Sequence, residues 1–99
     1  MEVLITCAVR GMHLWMHCPG CDALHAVALE GPCRWEFNGD PDRPTVSPSI
    51  HVVGGSRNLT CHSFLRDGRW EFLSDSTHHL AGRTVDMVPL PEWFIRQDQ

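Results

Sequence analysis

Apolar residues recur at every second position in short runs along most of the chain. Met12, Leu14 and Met16 alternate with His13, Trp15 and His17, which is the period of a half-buried strand. Residues 3–9, 25–29, 34–37, 50–53, 58–65, 69–74 and 84–88 are further short runs rich in β-branched, aromatic or alternating apolar residues. No stretch shows the apolar spacing of an amphipathic helix of three turns. The pattern predicts a mainly β fold, a single small antiparallel domain over residues 1–99 built from hairpins.

Turn residues punctuate these runs. Residues 12–29 read as a hairpin with Cys18-Pro19-Gly20-Cys21 at its tip. Asp67-Gly68 between two apolar runs is a strong hairpin signal. Pro41, Pro44 and Pro48 remove backbone donors and predict an extended surface loop over residues 40–48. Residues 75–82 carry a capping residue at one end and Gly82 at the other, which predicts one short helical turn or two. Residues 89–94 form a C-terminal cover.

Composition adds the need for a staple. A chain of 99 residues with 42% hydrophobic content buries only about 60–68% of its unfolded surface, which leaves a thin margin of stability. It carries 5 Cys and 7 His, and its 8 cationic residues are all Arg. Residues 1–15 have no basic n-region with a clean apolar run, so no secretory signal is expected and the location is expected to be cytoplasmic. An odd cysteine count in a reducing compartment favours metal over disulfides. A net charge of −4 without a basic cluster argues against nucleic acid as partner. No apolar run approaches the roughly 18 residues of a membrane span.

The chemistry centres on the tip of the first hairpin. Two thiolates three positions apart across a tight turn can share one tetrahedral Zn²⁺ at about 2.3 Å, and the Cys18-Pro19-Gly20-Cys21 knuckle supplies them. A redox dithiol would need its first Cys to open a long helix, and none follows. Further ligands come from His25, Cys33, Cys61, His62, His78 or His79. If Asp67-Gly68 is a two-residue turn, Arg66 faces Arg69, Phe64 faces Glu71 and His62 faces Leu73. His62 and Asp75 then become diagonal neighbours, with His78 one helical turn further on, and Cys61 points to the opposite face.

Two arrangements follow. In the first, Cys18, Cys21, His62 and His78 bind a single Zn²⁺, and Asp75 or Asp40 orients a ligand or acts as base. In the second, Cys18, Cys21 and Cys61 hold a structural zinc with His25, while His62, Asp75 and His78 form a separate polar site. The first is preferred, because so short a chain rarely houses two independent sites. Hydrolysis at the metal would use Asp75 or Asp40 to take the proton of a bound water and Ser47 to face the oxyanion. A shell filled by four protein ligands would leave no open position for that water.

Three segments carry a family resemblance. They are Trp35-x-Phe37-Asn38-Gly39-Asp40-x-x-x-Pro44-Thr45-x-Ser47-Pro48-Ser49-Ile50, then Cys61-His62-Ser63-Phe64-x-x-Asp67-Gly68, then Phe72-Leu73-x-Asp75-Ser76-Thr77-His78-x-Leu80-Ala81-Gly82. Together they resemble a family of small phage and prophage proteins, described as a domain of unknown function and sometimes labelled ammonia monooxygenase. That label does not fit, since the enzyme is a large membrane complex and this chain offers no span. Relatives stand beside bacterial ubiquitin-like conjugation genes. The resemblance therefore implies a zinc-dependent peptidase acting on ubiquitin-like proteins or their conjugates, in a bacterial host or phage-infected cell. Its motif residues fall here on Cys18, Cys21, Asp40, Ser47, Cys61, His62, Asp75 and His78. The competing expectation is a non-catalytic zinc-binding module that docks a protein partner through Trp15, Trp35, Trp70 or Trp93.

Overall fold

A computed structural model describes residues 5–54 and 58–96. The first hairpin and the strand before it form a three-stranded antiparallel sheet, β1 (Cys7–Arg10), β2 (His13–Cys18) and β3 (Ala23–Ala28), in that order. The rest forms a five-stranded antiparallel sheet in sequential order: β4 (Glu36–Phe37), β5 (Val46–Gly54), β6 (Leu59–Arg66), β7 (Arg69–Phe72) and β8 (Thr84–Asp86). A short helix, α1 (Glu92–Ile95), follows. The expected small antiparallel β domain is what forms.

Alternation along each strand decides what is buried. Leu14, Met16 and Cys18 of β2 and Val27 of β3 join Val46, Ile50, Cys61, Leu65, Trp70 and Phe72 of the second sheet in one core cluster. Trp70 is fully buried and stacks on Phe72 with ring centroids 5.8 Å apart. On β6 the core face carries Cys61, Ser63 and Leu65, whereas His62 and Phe64 turn to the outer face. The β6–β7 register is the expected one, with Phe64 opposite Glu71 and Arg66 opposite Arg69.

Three local expectations change. The strand expected over residues 3–9 is β1 from Cys7; its residues 3 and 4 lie outside the described residues. The proline segment does not stay a loop to residue 48: β5 already begins at Val46, because Val46 and Ser47 pair with Phe37 and Glu36. The β5–β6 register then shifts between Val46 and Ile50, and the displaced residues 47–49 include Pro48. Residues 75–82 form turns, not a helix. Thr77 binds Thr60 through both its backbone N–H and its hydroxyl, and Ser76 Oγ binds the backbone of His62, so the segment is drawn along β6. The one helix among the described residues lies in the C-terminal cover, where Leu90 and Phe94 are buried.

Candidate functional site

The β2–β3 knuckle and β6 meet in the core. Ligand atoms of Cys18, Cys21, His25 and Cys61 all lie within 4.8 Å of one another, a group that could hold a metal ion. Each member is placed by an element. Cys18 ends β2, Cys21 follows in the turn, His25 returns on the buried face of β3, and Cys61 comes from the core face of β6.

Three observations test the fit to a metal. The Cys18 and Cys61 sulfurs stand 3.9 Å apart, against about 3.8 Å for an edge of a tetrahedron with bonds of about 2.3 Å. His25 Nδ1–H donates to the Leu24 carbonyl at 3.2 Å, which leaves the lone pair on Nε2, and that buried atom has no partner. A histidine whose other ring nitrogen donates to a backbone carbonyl is the usual form of a metal ligand. Finally, the Cys21 backbone N–H donates to Cys18 Sγ at 3.4 Å, as in metal knuckles. The contact with Cys61 is the main cause that holds the Cys18 thiol far below its ordinary range, with the neighbouring His25 and the Cys21 N–H adding to it, and the same contact with Cys18 is the main cause that pushes Cys61 up. Three sulfurs and one imidazole suit zinc among divalent ions.

His62 and His78, the other two ligands of the preferred arrangement, stand outside this group. His62 follows Cys61 directly, so the strand pleat turns it to the opposite face. His78 lies over Gly20 of the knuckle, so closely that a Cβ at Gly20 would overlap its ring. Its Nδ1 accepts the Leu80 N–H at 3.2 Å, its ring meets Phe72 edge-on at 4.6 Å, and burial lowers its pKa. It packs the knuckle from the side without joining the four. The gathered group is the ligand set of the second arrangement.

On the outer face of the second sheet stands a separate constellation. His62 Nδ1 lies 3.0 Å from Asp75 Oδ2 and His62 Nε2 lies 3.2 Å from Ser49 Oγ. A carboxylate only accepts, so Nδ1–H donates to Asp75. The lone pair then sits on Nε2 and receives the Ser49 hydroxyl proton. This hydrogen bond to His62 is the main cause that lowers the Asp75 pKa. His62 is held at its backbone by Ser76, whose hydroxyl accepts the His62 N–H and donates to the His62 carbonyl, both at 3.0 Å. His51, directly opposite on β5, lies against the His62 ring with centroids 4.8 Å apart.

Asp75 thus stands where the hairpin register placed it. Asp40 and Ser47 do other things. The exposed Asp40 carboxylate accepts the backbone N–H groups of Asp42 at 3.0 Å and Arg43 at 3.4 Å, which shapes its own loop. Ser47 is exposed and paired with Glu36. The serine at His62 is Ser49, two positions on. It sits inside the Ser47-Pro48-Ser49-Ile50 motif, but nothing in that string distinguishes the two hydroxyls. The irregular register between Val46 and Ile50 does so.

Among the described residues, no helix is long and apolar enough to cross a membrane. A family model described as bacterial ubiquitination-like system serine protease (BubE) matches residues 2–73, a span that includes all four clustered residues, Ser49 and His62 and ends just before Asp75. No curated protein and no solved structure matches significantly.

Proposed function

The chain belongs to the BubE family of bacterial ubiquitination-like system serine proteases, and from that membership we propose that it is a serine peptidase whose nucleophile is Ser49, with His62 as general base and Asp75 as the group that orients it. The observation that carries this reading is the double engagement of His62, 3.0 Å from Asp75 and 3.2 Å from Ser49. These are the contacts of an activated serine, recognised by geometry and not by order in the chain.

The chemistry follows from the tautomer. As Ser49 Oγ bonds to the scissile carbonyl carbon, its proton passes to His62 Nε2, and the Asp75 carboxylate stabilises the imidazolium. His62 then returns the proton to the leaving amine as the C–N bond breaks. Water attacks the acyl-Ser49 ester with His62 again as base. The substrates fitting the family's setting are ubiquitin-like proteins carrying a C-terminal extension or joined to a target.

The metal has a structural part. Cys18, Cys21, His25 and Cys61 would hold Zn²⁺ with four protein atoms, which fills a tetrahedral shell. It would supply fold stability and no chemistry to the substrate. A metal-borne hydrolase is therefore the weaker reading of the same residues, and peptide hydrolysis moves to Ser49. The test is cleavage of a ubiquitin-like fusion by wild type and by Ser49→Ala, His62→Ala and Ser47→Ala proteins. The first two variants should lose about three orders of magnitude or more in kcat while remaining folded, and Ser47→Ala should stay active. Full activity in Ser49→Ala would end the proposal.

A further inference from the structure

The backbone around Ser49 has an open side. His62 directs its N–H to Ser76 Oγ and its carbonyl accepts the Leu73 N–H, so both backbone groups point away from β5. Thr60 does the same, donating its N–H to Thr77 Oγ1 at 2.8 Å and accepting the Thr77 N–H at 2.9 Å. Their partners on β5 are His51 and Val53. In an antiparallel ladder, opposed residues exchange both hydrogen bonds or neither. The N–H and C=O groups of His51 and Val53 therefore project to the far edge of β5.

That edge is covered only at its start. β4 pairs with Val46 and Ser47 alone, and no other described strand lies beyond β5. The Trp35 indole N–H takes the Ser49 carbonyl at 3.3 Å, which closes the edge at Ser49 itself. From His51 onward no described residue pairs with it, and Val53 is 67% exposed. An uncovered edge with an apolar side chain is a template for another strand.

We infer that the edge of β5 at His51 and Val53 is the substrate-binding rail, on which an extended segment of the protein substrate adds as an antiparallel strand. The inference rests on the Ser49 reading. It commits to a substrate tail because the nucleophile stands on the same strand, two residues from the first free backbone pair. An antiparallel tail passes Val53, then His51, and brings its scissile bond to Ser49. The residues preceding that bond are thus the ones held, by main-chain hydrogen bonds spaced every second residue. Recognition on this rail needs an unstructured, extended tail and is indifferent to most side chains.

The test uses the full chain with a peptide spanning the tail–reporter junction of the ubiquitin-like fusion. Hydrogen exchange at the His51 and Val53 amides should slow when the peptide is added, in wild type and in Ser49→Ala alike. N-methylation along the peptide should weaken binding at alternate residues only. Val53→Pro removes an N–H that faces no described strand and should raise KM about tenfold with little change in kcat, while Val53→Ala, which keeps the N–H and loses only side-chain contact, should raise KM several-fold less than Val53→Pro. Cleavage without amide protection or alternation would overturn the rail and leave the Ser49 reading standing. Protection with alternation but no cleavage would uphold the rail and remove the peptidase. Protection that rises with protein concentration in the absence of peptide would assign the edge to a second copy and overturn the inference.

Discussion

Removal of the proposed zinc is the perturbation with the largest consequence. Cys18 and Cys61 are fully buried and His25 is nearly so. A metal-free fold would keep His25 Nε2 without a partner, and each such buried orphan costs about 1–3 kcal/mol. Structural zinc in small domains contributes roughly 10–16 kcal/mol, against about 5–15 kcal/mol for the whole stability of a domain. Chelation should therefore unfold most of the protein. It should also abolish the proposed peptidase activity, because Cys61 and His62 are adjacent on β6 and loss of the sulfur's partners would release the strand that carries the proposed base. The assay is far-ultraviolet circular dichroism and cleavage after exhaustive chelation, with residual metal measured by mass spectrometry, followed by reloading with Zn²⁺ or Cd²⁺. Both ions should restore fold and activity, since a thiolate-rich structural site accepts either. Unchanged dichroism and Tm in demonstrably metal-free protein would refute the staple. A Cd²⁺-loaded protein that is folded yet inactive, while Zn²⁺ restores cleavage, would refute the assignment of the chemistry to Ser49.

Other consequences are more local. Ser76→Ala leaves the His62 N–H without the hydroxyl it binds at 3.0 Å. It should cost about 1–3 kcal/mol, a Tm drop of roughly 5–15 °C, with a fall in kcat larger than in KM; an unchanged Tm would contradict the tie. Gly20→Ala drives a methyl into the His78 ring and should lower metal affinity and Tm together, both read by chelator competition and melting. The Asp75 carboxyl is held below its ordinary value of 3.8 by His62. Its contribution is therefore complete above that value and is lost as pH falls through the lowered one. The stability difference between wild type and Asp75→Asn, followed by urea unfolding, should be present above pH 3.8 and shrink as pH falls below it; a difference undiminished in strong acid would show that the carboxylate charge is not involved.

Parts of the site were legible because they are local. The knuckle needs only four consecutive residues, and the His62–Asp75 contact needs only the Asp67-Gly68 turn to set one register, which it does. The rest depends on contacts between distant segments. Cys18 and Cys61 are 43 positions apart and touch only because the two sheets share a core. The ligand choice between Cys61 and His62 is a question of parity: a strand shows adjacent residues to opposite faces, and the face that is core is decided by what packs on it. Ser49 was hidden for a related reason, since the irregular register over residues 47–49 breaks the simple alternation that would have matched β5 to β6.

The sequence by itself determined a small antiparallel β domain with a cysteine knuckle and a hairpin that joins a histidine to an aspartate, because strand period, turn chemistry and short loops are properties of neighbouring residues. Only the tertiary structure decided that β6 turns Cys61 inward to a cluster that could hold a metal ion and His62 outward to Ser49 and Asp75. The reason is the pleat: one strand between a buried and an open face carries both kinds of chemistry in successive residues, and burial assigns each to its side.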